Sequence, residues 1–144
     1  MVKVSIIGKG TFGGKIENCI KKFVQFVAPD EADWIIIATP NDLHYEQVEY
    51  WLSQRKNVFC EKPLTLTIDT AKELFSLADF FSVKLYVDDV FKWHHHKNDL
   101  NFIESYNNFK WHKYGSFNAN IVNNLAYHHF YLSELAYEKF EVED

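Results

Sequence analysis

The sequence predicts an α/β fold in which a mainly parallel sheet carries helices on both faces. Two observations predict it: short runs of β-branched residues alternate with segments of helical spacing, and the connections between them are short. A third observation sets the extent of this fold. The alternation stops near residue 90, where the chain becomes rich in aromatic residues and histidine. We therefore predict two domains, at residues 1–90 and 91–144.

The first domain contains the strongest periodic signals. Residues 2–7 are mostly β-branched, as expected of a parallel strand buried on both faces. Further strands are predicted at residues 24–27, 34–39, 58–60 and 84–87. Helices are predicted at residues 12–23, 44–53 and 67–81. In the second domain we predict a short helix at 99–106, a strand at 109–117 and an amphipathic helix at 123–140.

Composition excludes several classes of function. The net charge is −5 and no basic block is present, which argues against a nucleic-acid partner. The sequence shows neither a signal-peptide layout nor an apolar run long enough for a bilayer, so we expect a soluble cytoplasmic protein without membrane contact. Cys19 and Cys60 lie in apolar segments, and we expect two reduced, buried thiols.

A glycine-rich turn follows the first strand. Gly8, Gly10 and Gly13 fit the pattern G-x-G-x-x-G, with Thr11 and Phe12 between the last two. In a Rossmann-like fold the first glycine permits the tight turn, the second lets the backbone approach a pyrophosphate, and the third lets the helix pack closely. The turn therefore predicts a site for NAD or NADP, although a tight turn without a ligand has the same pattern.

The second strand lacks the acidic residue that usually holds the adenosine ribose. Gln25 lies in this strand, and the next acids are Asp30 and Glu31, beyond a proline. Residues 23–34 are also too few for a strand, a crossover helix and another strand. We expect the adenosine half-site to be missing, so that cofactor binding is weak, lost or completed by another chain.

Two further motifs carry a resemblance. Residues 34–44 contain Ala-Thr-Pro-Asn and a following His, and residues 58–64 contain Glu-Lys-Pro-Leu. Both resemble motifs of the Gfo/Idh/MocA family of NAD(P)-dependent sugar oxidoreductases. Residues 123–129 resemble the start of a further helix of that family, with Asn124 in place of Asp and Ala126 in place of Gly.

The resemblance implies roles for individual residues. Lys62 would hydrogen-bond the reacting oxygen and His128 would act as acid and base, with Asn124 completing the substrate site. The cofactor would contact the glycine loop and a second group of residues, Thr39, Pro40, Asn41, His44 and Glu61. Plainer interpretations are that Lys62 is a loop lysine, that His44 only starts a helix and that His128 is an ordinary helix residue.

The resemblance also implies an abridged member of the family. Residues 91–144 are too few for the family's full substrate and oligomerisation domain, and we interpret them as a remnant of it. Its aromatic surplus leads us to expect a homodimer through this region. His94, His95 and His96 point in different directions on any regular element, so we predict no metal site.

Two functions from different classes follow. The first is an NAD(P)-dependent oxidoreductase that acts on a sugar, sugar-nucleotide or polyol hydroxyl, or a degenerate form of such an enzyme. The second is a non-catalytic nucleotide-binding or sugar-binding protein, or an accessory protein of a polysaccharide pathway, that retains the family fold. A folded remnant without a function of its own is a weaker third interpretation.

Overall fold

The computed structural model describes residues 1–88, which form one compact unit of the chain. Within them, five strands alternate with three α-helices in the order β1 (Val2–Ile7), α1 (Thr11–Ile20), β2 (Val24–Phe26), β3 (Trp34–Ile37), α2 (His44–Ser53), β4 (Asn57–Cys60), α3 (Ile68–Phe81) and β5 (Leu85–Val87). Short 3₁₀ turns lie at Pro29–Glu31 and Asn41–Leu43. None of the helices among these residues is long and apolar enough to cross a membrane.

All five strands are parallel and follow the order β2-β1-β3-β4-β5. The predicted parallel α/β sheet is therefore confirmed. The chain leaves β1 toward β2 on one side and later returns to β3 on the other side. This reversal makes the gap beyond the ends of β1 and β3 the topological switch point, where open α/β sheets bind their ligands.

The helices cover both faces of the sheet. Ile6 is the register partner of Ile36, whereas Ile37, one residue later, belongs to the buried cluster beneath α2 and α3. The ideal Cβ position of Gly13 in α1 lies 3.6 Å from Cγ2 of Ile6, so α1 lies on the opposite face. Because successive residues of a strand point to opposite faces, these contacts place α1 against one face and α2 with α3 against the other.

The core lies between the sheet and helices α2 and α3. Val48 and Leu52 of α2 are completely buried, as their helical spacing predicts, and Leu74 of α3 is 1% exposed. They pack on strand residues that are also completely buried, namely Ile35, Ile37, Val58 and Cys60. Full burial of one such aliphatic side chain contributes about 1.5–3 kcal/mol. This half of the sheet therefore supports the loops that follow β3 and β4.

Residues 27–33 connect β2 to β3 without a helix. A parallel crossover usually needs a dozen residues or more because the chain must return along the full strand. Here Val4 is the register partner of Phe26 on one side and of Trp34 on the other. The chain leaves β2 and enters β3 at the same height, so it only has to cross β1. The expectation that no crossover helix fits is confirmed.

Three local expectations were wrong. Helix α1 ends at Ile20 instead of residue 23, because the chain must turn for Val24 to pair with Val2. Cys19 is exposed, whereas Cys60 is buried as expected. In β1, Val4 and Ser5 are the only buried residues, so the strand is not buried along its whole length. The predictions for residues 91–144 lie outside the described residues.

Candidate functional site

Four loops meet at one edge of the sheet because the carboxyl ends of parallel strands lie together. Gly8 follows β1, Thr39 follows β3 after Ala38, Glu61 follows β4 and Asp88 follows β5. Backbone hydrogen bonds extend the sheet ladder into these loops. The N–H of Glu61 donates to the carbonyl oxygen of Ile37 at 2.9 Å, and that of Asp88 donates to the carbonyl oxygen of Cys60 at 2.8 Å. The motifs found in the sequence are thus neighbours.

The three glycines of the first loop have different surroundings. Gly8 has φ 103°, and a Cβ there would overlap the carbonyl of Ala38 in the neighbouring loop. A Cβ at Gly13 would overlap the carbonyl oxygen of Gly8, so α1 packs directly on the turn. Gly10, the N-cap of α1, has no atom within 4 Å of its Cβ position. These are the surroundings expected for a tight turn, a close helix contact and an open approach to backbone.

The first turn of α1 presents free backbone donors. Helix α1 has no side-chain hydrogen bond at its N-cap and no acidic residue in its first turn. The first N–H groups of a helix have no partner within the helix and carry a partial positive charge. Thr11 and Phe12 begin this turn, and both are exposed. The arrangement suits an anionic group such as a pyrophosphate.

His44 joins the second and third loops. Its side chain is completely buried. Nδ1 lies 2.8 Å from the carbonyl oxygen of Pro63, and Nε2 lies 2.9 Å from the carbonyl oxygen of Thr39. Thr39 is fixed further by its hydroxyl group, which donates to Oε1 of Gln47 at 2.7 Å. Because both ring nitrogens are engaged within the protein, a role of His44 at a ligand has to act through the loops that it joins.

Glu61 is a buried acid at the centre of this edge. Its side chain is 9% exposed, and Oε1 is a buried atom without a hydrogen-bond partner among the described residues. The pKa of Glu61 is raised to about 8, mainly by burial. The hydrogen bond to Asp88 and the negative charge of Asp88 add to this rise, and Lys62 opposes it. Two carboxyl groups joined by a hydrogen bond need at least one proton between them. The pair therefore holds a proton near neutral pH.

Lys62 and Pro63 follow Glu61. Lys62 is half-buried, and its peptide bond to Pro63 is cis. Pro40 is exposed and Asn41 is half-buried in the loop after β3. Behind these loops, burial and the charge of Glu61 raise the pKa of the Cys60 thiol. A thiol of that kind stays protonated and unreactive, so Cys60 is a core residue and has no chemical role.

A pocket of about 540 Å³ lies beside the glycine loop. It is lined by the end of β1, the loop, one side of α1 and the start of the β2–β3 connection, and its charged side chains are Lys9 and Glu17. No acid follows β2 directly, because Val27, Ala28 and Pro29 occupy that position. The usual ribose-binding acid is thus missing, yet space remains where the adenosine side of a dinucleotide would lie.

Two predicted site residues, Asn124 and His128, lie outside the described residues, as do His94, His95 and His96. Residues 1–88 contain no group of three or more His, Cys, Asp or Glu side chains suited to a metal ion. Sequence reasoning missed Asp88. Its signal was available: Asp88 directly follows a strand predicted to lie in the same sheet as the strand before Glu61.

Taken with the fold, these loops define a dinucleotide-binding domain of the Rossmann type. A family model described as "Oxidoreductase family, NAD-binding Rossmann fold" matches residues 11–89. The chain belongs to this family, the Gfo/Idh/MocA oxidoreductases, as its Thr-Pro-Asn and Glu-Lys-Pro motifs predicted.

Individual relatives agree with this assignment. The chain is 27% identical to an uncharacterized oxidoreductase of Streptococcus pneumoniae over 69% of its length and 36% of the relative's length. It is 44% identical to inositol 2-dehydrogenase of Mycolicibacterium gilvum over 33% of its length and 14% of the relative's. Biliverdin reductase of Synechocystis, solved with biliverdin and NADP⁺, shares the fold with a TM-score of 0.63 and 23% identity, over 69% of this chain and 41% of that one. The chain thus spans about a third or less of these two curated relatives.

Proposed function

We propose that this chain binds NAD or NADP along the carboxyl edge of its sheet and supports oxidation or reduction of a hydroxyl group of a sugar, sugar nucleotide or polyol. One observation carries the proposal: the glycine turn, the Thr39 loop and the Glu61-Lys62-Pro63 loop converge at the topological switch point. Membership of an NAD-binding family and the inositol dehydrogenase relative support the choice of cofactor and substrate class.

The residues present fit a dinucleotide. The open space at Gly10 and the uncapped first turn of α1 would receive the pyrophosphate. Thr39, Pro40 and Asn41 would line the nicotinamide ribose. Glu61 would contribute to the cofactor site through the loop that it begins, because its carboxyl group is buried at the same edge. His44 would contribute indirectly, by holding the Thr39 loop in place.

The proposed chemistry divides between the cofactor and this chain's side chains. A bound nicotinamide would supply the hydride chemistry, as acceptor from the alcohol carbon in oxidation and as donor in reduction. Lys62 holds the reacting oxygen and stabilises the negative charge that develops on it. The hydroxyl proton would pass to His128, because a histidine side chain can both accept and donate a proton near neutral pH. Asn124 would help to orient the substrate.

Two variants test this proposal. Gly10→Ala places a methyl group in space that is empty in the free protein but is needed by the pyrophosphate. We expect it to leave the fold intact and to weaken NADH binding, measured by nicotinamide fluorescence, by at least tenfold. Gly14→Ala is the matched control, because its Cβ position is equally open but lies further along α1. Equal affinity of wild type and Gly10→Ala would contradict the proposed pyrophosphate site.

Lys62→Ala tests the chemical step separately. With a cyclic polyol, an aldose and a nucleotide sugar as trial substrates, we expect turnover to disappear while NADH affinity stays within about threefold, because Lys62 acts on the substrate oxygen. Turnover by the variant at the wild-type rate would remove Lys62 from the mechanism. Loss of NADH binding with an intact fold would assign Lys62 to the cofactor.

A non-catalytic binding function is the second candidate. It is favoured by the absence of an acid directly after β2, where Val27 and Pro29 lie near the pocket instead. This function gives saturable binding of a nucleotide or sugar without turnover in any trial assay. Hydride transfer to any of the trial substrates would exclude it.

We also propose a cytoplasmic location and a homodimeric state for the protein. The two thiols, one exposed and one buried, are both free, which suits the reducing cytoplasm. A homodimer through the aromatic residues of the 91–144 segment remains part of the proposal. Sedimentation at micromolar concentration tests it, because a dimer is expected and a single monomeric species would contradict it.

A further inference from the structure

The two polar contacts of the His44 ring indicate which of its nitrogens carry a proton. Its two ring nitrogens face two backbone carbonyl oxygens, at 2.8 Å from Pro63 and 2.9 Å from Thr39. Carbonyl oxygens only accept hydrogen bonds, and a neutral imidazole has a single N–H group. A neutral ring would leave one nitrogen lone pair directed at an oxygen, with no proton between them.

Water cannot relieve this conflict because the ring is completely buried. A buried polar group without its hydrogen bond destabilises the folded state. A second ring proton removes the repulsion and makes both contacts charge-assisted hydrogen bonds, which are roughly twice as strong as neutral ones. The cost of burying the charge opposes this gain, and hydrogen bonds from the charged ring to the two carbonyl oxygens reduce that cost.

We propose that His44 is a positioning residue that carries a proton on both ring nitrogens and clamps the Thr39 loop to the Pro63 loop. One contact holds the loop that would line the nicotinamide ribose, and the other holds the residue directly after Lys62. The clamp therefore fixes the distance between the cofactor loop and the lysine that contacts the reacting oxygen. The charged groups on the clamped segments are Asp42, Glu61 and Lys62.

The first test concerns the ring itself and needs neither cofactor nor substrate. The full chain is labelled with ¹⁵N-histidine, and the His44 signals are assigned by their loss in His44→Gln. We expect a directly bonded proton at both Nδ1 and Nε2 at neutral pH. A ring with a single protonated nitrogen would overturn the two-proton clamp. If His44→Gln does not fold, the assignment is made by replacing each of the other six histidines in turn, so that the remaining signals belong to His44.

The second test concerns the loops. In His44→Leu, which keeps an apolar side chain of similar size, we expect amide hydrogen exchange at residues 39–43 and 61–62 to accelerate at least tenfold. Exchange near the Thr67 cap of α3 should change less than twofold. Tyr45→Phe is the matched control, since it removes the neighbouring 3.1 Å hydrogen bond to Glu73 at the protein surface. Unchanged exchange in both loops of a folded His44→Leu would overturn the positioning role.

The contribution of the clamp to catalysis rests on the proposed function. We expect His44→Leu to lower kcat at least tenfold, with a smaller change in NADH affinity, because the lysine loop and the cofactor loop lose their fixed separation. Failure of the proposed function would show as no turnover in the wild type, with the ring protons and loop protection still present. A wild-type kcat in His44→Leu would overturn the positioning role alone.

Discussion

The buried Glu61 carboxyl predicts an unusual dependence of folding stability on pH. Burial and Asp88 raise the pKa of Glu61 from 4.5 to about 8 in the folded protein. Between these values the folded state holds a proton that the unfolded state has lost. The free energy of unfolding therefore falls as pH rises from about 4.5 to about 8, and it levels off above that range.

The size of the effect follows from the same two pKa values. One unit of difference in pKa corresponds to about 1.4 kcal/mol, so a rise from 4.5 to about 8 gives at most about 5 kcal/mol. Below pH 4.5 this contribution is fully present, and above pH 8 it is lost. A domain with an ordinary stability of about 5–15 kcal/mol would show such a loss clearly.

Glu61→Gln isolates the contribution of this carboxyl. The amide has nearly the same shape, can still donate to the Asp88 carboxylate and does not titrate. We expect the variant to match the wild type near pH 5 and to exceed its stability at pH 8.5 by up to about 5 kcal/mol, measured by urea unfolding at each pH. Subtraction of the two profiles removes the contribution of other titrating groups.

Asp88→Asn is the companion variant. It removes the negative charge next to Glu61. We therefore expect the free energy of unfolding of this variant to fall less between pH 5 and 8.5 than that of the wild type. Parallel stability profiles for the wild type and Glu61→Gln over this range would refute the reasoning, because they would show that Glu61 titrates alike in the folded and unfolded chain.

The remaining predictions concern packing. Gly13→Ala should lower the free energy of unfolding by about 1–3 kcal/mol, because the methyl group would overlap the Gly8 carbonyl and force α1 away from the turn. Gly14→Ala should be neutral or stabilising by up to about 1 kcal/mol, since the site is open and alanine favours the helix. Leu74→Ala should cost about 2–5 kcal/mol, because the side chain is 1% exposed. Urea unfolding measures all three, and equal stability of Gly13→Ala and Gly14→Ala would contradict the packing at the turn.

Much of the fold could be predicted because its signals are local. The apolar segments before Gly8, Thr39 and Glu61 identified the strands. Because these strands are parallel, the three loops that follow them lie at one edge of the sheet. The expectation that residues 23–34 contain no crossover helix also followed from chain length alone. The register that allows so short a crossing did not, because it depends on Val4 pairing at one height with both neighbours.

The details of the site depended on contacts between distant residues. Asp88 and Glu61 are separated in the sequence, and only the pairing of β4 with β5 brings them together. For His44 the sequence left a cofactor contact and a helix start as alternatives, and its two carbonyl partners explain why it is buried. Cys19 was expected to be buried but is exposed. Helical spacing identifies an apolar side of α1, but it does not show whether another part of the protein covers that side.

The central claim is that the glycine turn and the converging loops bind a nicotinamide dinucleotide. Calorimetric titration of the full chain with NADH and with NADPH tests it most directly. The account predicts saturable heat for at least one of them, with one cofactor bound per chain and with the signal lost or strongly weakened in Gly10→Ala. A folded wild-type chain that gives no binding heat up to millimolar concentrations of either cofactor would contradict it.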